Sequence, residues 1–227
     1  LIERFTDLAL SIKKSAMRLP CARSLPIYTC MASLFPDLFE TPKIPGLSYR
    51  EDLISRDEEL RLIDGIDASA LEPFRFQGWL GKRLTSSFGW RYDFDDARFG
   101  PTDPMPDWLL PVRAKAAAFA DLEPASLAQA LLIRYDLDAG IGWHRDRPVF
   151  DHVVGISLGV SAPLRFRRRN ASGFDRVTVP LAPRSVYHLY GEARFQWEHS
   201  IAEMGETRWS ITFRTLAEKL AGRNMIR

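Results

Sequence analysis

Cysteine is almost absent from this chain of 227 residues: Cys21 and Cys30 are the only two. A cysteine-based zinc or iron–sulfur centre is thereby excluded, and a disulfide framework is not expected. No apolar run reaches the length of a membrane span, so the reading expects a chain of the cytoplasm with no membrane association. A dominant charge sign is also lacking. The 31 basic and 29 acidic side chains leave a formal net charge of +2, so bulk charge argues for no polyanionic partner and local distribution must decide. Histidine is scarce, with four in all: His144, His152, His188 and His199. There is no H-E-x-x-H, which removes the sequence signature of zincins, and Gly155-Ile156-Ser157-Leu158-Gly159 falls inside a strand pattern rather than on a strand-to-helix elbow of the α/β-hydrolase kind. Internal repeats and low-complexity tracts are missing too.

What is present divides unevenly. Residues 1–30 carry Lys13, Lys14, Arg18 and Arg23 with few acids. They read as an extension outside the core, with a weak targeting peptide as the alternative. Residues 31–227 read as one domain. Tyr49–Leu53 is a candidate short strand. Ser55 with Glu58 forms a capping-box pattern, and Leu60, Ile63 and Ile66 give the following helix its apolar stripe. Residues 74–99 interleave aromatic and basic side chains and read as short strands and a loop. Pro111 opens an alanine-rich helix through Val112–Ala120. Beyond it the chain reads as short strands over 130–136, 153–158, 164–168, 176–180, 186–190, 196–201 and 208–215. That spacing, without alternating helices, predicts a mainly β fold with flanking helices: a double-stranded β-helix, or jelly-roll of cupin type.

One ordered set of residues carries chemistry. His144 and Asp146 share a face at a strand end, and His199 lies 55 residues downstream, far enough to return on a neighbouring strand. Two imidazoles and a carboxylate can hold one face of Fe(II) and leave the opposite face open. Zinc is the competing metal for such a set. In Arg208-Trp209-Ser210-Ile211-Thr212-Phe213-Arg214 the alternation is clean. Two arginines on the polar face would be costly inside a barrel unless they meet anions, and a dicarboxylate supplies them. His152 and His188 read as packed or hydrogen-bonded residues. A Ser200–His199–Asp146 triad lacks a supporting elbow.

These residues resemble the AlkB-like family of Fe(II)/2-oxoglutarate-dependent dioxygenases. The resemblance covers roughly Leu47–Leu216. It rests on Ile133-Arg134-Tyr135-Asp136 through His144-Arg145-Asp146, on Gly191-Glu192-Ala193-Arg194 through His199, and on Arg208 to Arg214. It implies that His144, Asp146 and His199 bind Fe(II), that Arg208 binds the distal carboxylate of 2-oxoglutarate, and that Arg214 lies near its metal-proximal carboxylate. Tyr135 would hydrogen-bond the co-substrate. Ile133 and Ser210 stand where asparagine is common, leaving Ser210 as a reduced cofactor contact. Residues 74–100 would form a substrate-recognition lid, in which Trp79 or Trp90 stacks on a base while Lys82 and Arg83, with Arg167 from a second basic patch at Arg165–Arg169, meet phosphates. The implied reaction consumes 2-oxoglutarate and dioxygen and removes N-linked alkyl groups from bases, as in DNA repair, releasing succinate, carbon dioxide and an aldehyde. The implied partner is single-stranded or flipped-base nucleic acid, with no obligate protein partner. A protein or small-molecule oxygenase, or a binding module without turnover, are the alternatives.

Overall fold

Strands dominate the described residues, which are 44–76 and 78–217 of this computed structural model. The expected extension 1–30, with both cysteines, lies outside them. In chain order the elements are β1 (Leu47–Arg50), α1 (Arg56–Asp67), β2 (Glu72–Phe76), β3 (Trp79–Phe88), β4 (Trp90–Tyr92), β5 (Phe99–Pro101), α2 (Leu110–Ala120), β6 (Gln129–Tyr135) and β7 (Ile141–His144). Then follow β8 (Phe150–Leu158), β9 (Ala162–Asn170), β10 (Gly173–Leu181), β11 (Val186–Leu189), α3 (Gly191–Phe195), β12 (Glu198–Ile201) and β13 (Arg208–Leu216). A seven-stranded sheet runs β1-β11-β8-β13-β6-β3-β2, and a four-stranded sheet runs β10-β9-β12-β7. The hairpin β4-β5 stands apart. All paired strands are antiparallel. This is the jelly-roll that the strand spacing predicts.

Period-two alternation sorts the core into two layers. On β13, Ile211 and Phe213 join Leu132, Ile156 and the inner faces of α1 and α2 (Leu62, Ile66, Val112, Ala116) in one cluster. The opposite faces of β6 and β8 join β9, β10 and β12 through Ile133, Val153, Leu164, Phe166, Val177 and Ile201. The helices therefore cover one face of the large sheet, and the second cluster lies between the two sheets. The polar side of β13 opens into that second layer.

The capping box forms as expected: Glu58 N donates to Ser55 Oγ at 3.2 Å and Ser55 N to Glu58 Oε2 at 2.8 Å. Of the expected stripe, Ile66 is buried and Ile63 packs against the core, but the first member departs. Leu60 is 53% exposed, while Glu59, Leu62 and Ile66 are buried. Glu59 holds that place because its carboxylate accepts from Gly159 N at 2.9 Å and from Arg184 Nη1 at 3.2 Å, which offsets desolvation. The first strand is Leu47–Arg50 rather than 49–53, and Leu53 instead enters the core. The stretch expected to be strand from Gln196 begins at Glu198, because residues 191–195 form a short helix closed by Gln196 N donating to Glu192 O.

His152 and His188 pair across β8 and β11, Nδ1 to Nε2 at 2.8 Å, with near-parallel rings. His188 is buried beside Val186 on the helix-covered side. Burial, then the neighbouring His152, pushes its pKa down to about 4. The unfolded chain therefore binds more protons than the folded one between the unperturbed value near 6.5 and pH 4. The metal-free protein is expected to be fully stabilised above pH 6.5 and to lose up to about 3 kcal/mol from this group as pH falls to 4. Urea midpoints measured for wild type and His188→Gln across pH 4–8 check this: the variant should show the flatter profile.

Candidate active site

The register explains how residues distant in sequence meet. On adjacent strands of the small sheet, His199 of β12 is the direct cross-strand partner of His144 at the end of β7. Their ring centroids lie 4.3 Å apart. Asp146 follows two residues later, just past the end of β7, and its Oδ2 sits 3.6 Å from His199 Nε2. Ligand atoms of all three residues lie within 4.8 Å of one another. His144 Nδ1 lies 2.9 Å from the Gly142 carbonyl and so donates to it, which frees Nε2 as a lone-pair donor.

The electrostatics suit a cation. Burial lowers the pKa of His144, and burial with the adjacent His144 pushes His199 down to about 3. Both imidazoles are thus neutral near physiological pH. Burial opposes ionisation of Asp146, but Arg214, then His199, His144 and Arg194, outweigh it and hold the carboxyl well below the usual range. Arg214 donates to Asp146 Oδ1 from Nε at 2.7 Å and lies at 2.6 Å through Nη2, and its Nη1 donates to Gln129 Oε1 at 2.9 Å. Asp146 Oδ2 is left buried with no hydrogen-bond partner. An orphaned anionic oxygen facing two free imidazole nitrogens is the donor set a divalent metal needs.

A second orphan lines the same cavity. Arg208 is 1% exposed. Its Nη2 donates to Ser157 Oγ at 3.1 Å, while Nε and Nη1 have no partner. Burial lowers its pKa. Tyr135 lies under the guanidinium at 5.2 Å. A buried fork with two unanswered N–H groups fits a carboxylate. Tyr135, Ser210, Arg208 and Arg214 all line the cavity, whose volume is about 770 Å³, and so does Ile133. Tyr187 lines it too, and nothing in the sequence singled it out. Its ring lies across Gly155, where a Cβ would fall 2.1 Å from the ring carbon, so glycine there is what admits Tyr187.

The outer wall differs from the expected lid contacts. Phe94 packs against Phe74, Phe76 and Tyr92 at 5.0–5.7 Å. Arg83 lies 3.7 Å over Phe74, and Arg147 4.5 Å over Tyr92. Arg83 is buried in this wall rather than exposed to phosphates. Lys82 is exposed and does not line the cavity. Trp90 does not line it either; it stacks on Phe99 at 5.0 Å within the hairpin. Trp79 begins β3, and its side chain lies outside the described residues. Arg167 pairs with Glu198 at 2.6 Å on the far face of the small sheet, so the basic patch does not form the opposite bank of the groove. Alternation on β9 explains this: Leu164 and Phe166 take the inward positions. Of the five expected substrate contacts, Arg83 alone is described as reaching the cavity.

Residues 75–214 match the family model of the 2OG-Fe(II) oxygenase superfamily. The chain is 27% identical over 162 residues to tRNA (carboxymethyluridine(34)-5-O)-methyltransferase alkbh8 of Xenopus tropicalis, covering 69% of this chain and 25% of that protein. It is 26% identical over 187 residues to the Alkylated DNA repair protein ALKBH8 homolog of Arabidopsis thaliana, covering 70% of this chain and 51% of the relative. This chain thus spans a quarter to a half of these relatives. The solved structure of OsALKBH1 shares the fold, with a TM-score of 0.60 at 16% identity, over 75% of this chain and 97% of that one. Among the described residues no helix is long and apolar enough to cross a membrane. The chain belongs to the 2OG-Fe(II) oxygenase superfamily, is similar within it to AlkB-like proteins, and is an Fe(II)- and 2-oxoglutarate-dependent dioxygenase.

Proposed function

We propose that this chain oxidatively dealkylates N-alkylated bases in nucleic acid, with His144, Asp146 and His199 holding Fe(II), and Arg208 and Tyr135 holding 2-oxoglutarate. The observation that carries the reading is one cavity with three parts. The orphaned Asp146 Oδ2, the orphaned Arg208 fork and the wall of Phe74, Tyr92 and Phe94 all belong to its lining. With 2-oxoglutarate and dioxygen, Fe(II) supplies the two-electron oxidation that places a hydroxyl on a C–H carbon, the co-substrate leaving as succinate and carbon dioxide.

The chain's own residues hold and orient. Arg208 meets the distal carboxylate through its free Nε and Nη1. Arg214 fixes Asp146, so one carboxylate oxygen faces the centre in a set orientation. Gly142 fixes the His144 tautomer. Burial excludes water, so an N-linked carbon is oxidised ahead of solvent side reactions. An N–CH2OH product then collapses to the free amine and an aldehyde. The aromatic wall suits a flat ring removed from its stack, and a volume of about 770 Å³ lies in the range of ligand sites. The names of the two relatives, one tRNA-directed and one for alkylated DNA, support a nucleic-acid substrate.

The test is anaerobic loading with Fe(II) and 2-oxoglutarate, then exposure to oxygen with a panel of N-methylated single-stranded DNA and RNA oligonucleotides. Mass spectrometry should find loss of one CH2 unit from at least one member, matched by succinate. Succinate without any change in oligonucleotide mass across the panel would overturn the reading in favour of a protein or small-molecule oxygenase.

A further inference from the structure

The small sheet carries a feature that the cavity does not use. Alternation on β9 sends Arg165, Arg167 and Arg169 to the face turned away from the core. Arg176 and Phe174 of β10 stand beside Arg167 and Arg169 in register. Two aromatic rings organise these cations. Arg167 lies 4.6 Å from the Trp143 ring and 4.7 Å from Phe174; Arg165 is 5.3 Å from Trp143; Arg169 and Arg176 are 5.8 and 5.4 Å from Phe174. Within the four strands, alternation leaves this face one acid, Glu198, which is held by Arg167. Neither Arg169 nor Arg176 pairs with a carboxylate among the described residues. Trp143 also lines the cavity and precedes His144, so the array begins at the rim of the active site.

We propose that this face is a track for the phosphate backbone of a single-stranded nucleic acid whose modified base occupies the cavity; the proposal rests on the nucleic-acid reading above. An arginine at every second residue of a strand gives one guanidinium about every 7 Å, within reach of successive phosphates of an extended strand. Stacking on Trp143 and Phe174 pre-organises the guanidinium groups, so less side-chain freedom is lost when phosphates arrive. A repeating line of cations interleaved with aromatic rings fits a regular polyanion better than an irregular acidic protein. From Arg165 to Arg169 the track runs about 13 Å along the strand. A substrate of three nucleotides then meets little of it, and one of ten meets all of it.

The experiment measures binding of three- and ten-nucleotide single-stranded oligonucleotides by fluorescence anisotropy over a series of salt concentrations. It uses the full chain as wild type and as an Arg169→Glu/Arg176→Glu double variant. Wild type should bind the longer oligonucleotide more tightly. The variant should lose about tenfold or more of that affinity, with a salt slope shallower by about 1.4, and keep its affinity for 2-oxoglutarate, which reports an intact fold. Equal affinity and slope in both proteins would overturn the track while leaving the nucleic-acid substrate standing. Wild type that binds no oligonucleotide, but binds a polyglutamate peptide in a way the reversals abolish, would overturn both and assign the face to an acidic protein.

Discussion

Arg208→Met is expected to lose 2-oxoglutarate affinity by about 100-fold or more while leaving the metal-free protein as stable as wild type, or more stable. The two effects share one cause. In the free protein a guanidinium is buried with two N–H groups unanswered, and its lowered pKa records the cost of that burial. Replacing a buried ion lacking its partner by an apolar side chain of similar length removes a desolvation penalty. Once a carboxylate arrives, the balance reverses: the charge-assisted fork becomes a desolvated pair, and truncating one member of such a pair costs about 2–5 kcal/mol. Isothermal titration of metal-loaded protein with 2-oxoglutarate, alongside calorimetric melting of the free protein, reads both. Unchanged affinity would return the polar face of β13 to a structural role.

Asp146→Asn should weaken metal binding more than about 100-fold, beyond what loss of an outer hydrogen bond costs, and abolish turnover. It should also destabilise the free protein by about 3 kcal/mol, because Arg214 is left as an uncompensated buried cation. Adding Arg214→Met should restore most of the stability and none of the metal affinity. Anaerobic Co(II) titration followed by visible absorption, with urea unfolding of the single and double variants, separates the two losses. A single variant that binds Co(II) as wild type does would remove Asp146 from the metal site.

The chemistry was more legible in the sequence than the substrate wall. The capping box, the alternation of β13 and the shared face of His144 and Asp146 are local patterns whose geometry follows from helix and strand periods, while the return of His199 depends on the register of β12 on β7. The surroundings an aromatic residue meets in a hairpin do not follow in that way. Trp90 and Tyr92 lie on the same short strand, yet Trp90 packs on Phe99 while Tyr92 joins the cavity wall through Phe94. Which ring serves as packing depends on where β4 and β5 sit beside the sheets. Tyr187 was invisible for a similar reason, since its position depends on a glycine 32 residues earlier that lies opposite it only once β8 and β11 are paired. The exchange of Leu60 for Glu59 on the buried face of α1 belongs here too. A buried Glu59 is permitted only by Arg184 and the backbone of Gly159, partners at least 100 residues away.

The pairing of Arg214 with Asp146 bears on how the two small ligands depend on each other. The two charges cancel, and the histidines beside them are neutral, so the buried cations left in the cavity lining are Arg208 and Arg83, neither paired with a carboxylate among the described residues. A divalent cation entering alone adds two further positive charges to that surplus, and a dianionic co-substrate removes as many again in a region of low permittivity. Each ligand thus relieves the strain that the other creates. Thermodynamic linkage requires the relief to be reciprocal: whatever factor the dicarboxylate adds to metal affinity, the metal adds to dicarboxylate affinity. The inner cavity behaves as a two-input gate, weakly occupied by either ligand alone and firmly closed around the pair.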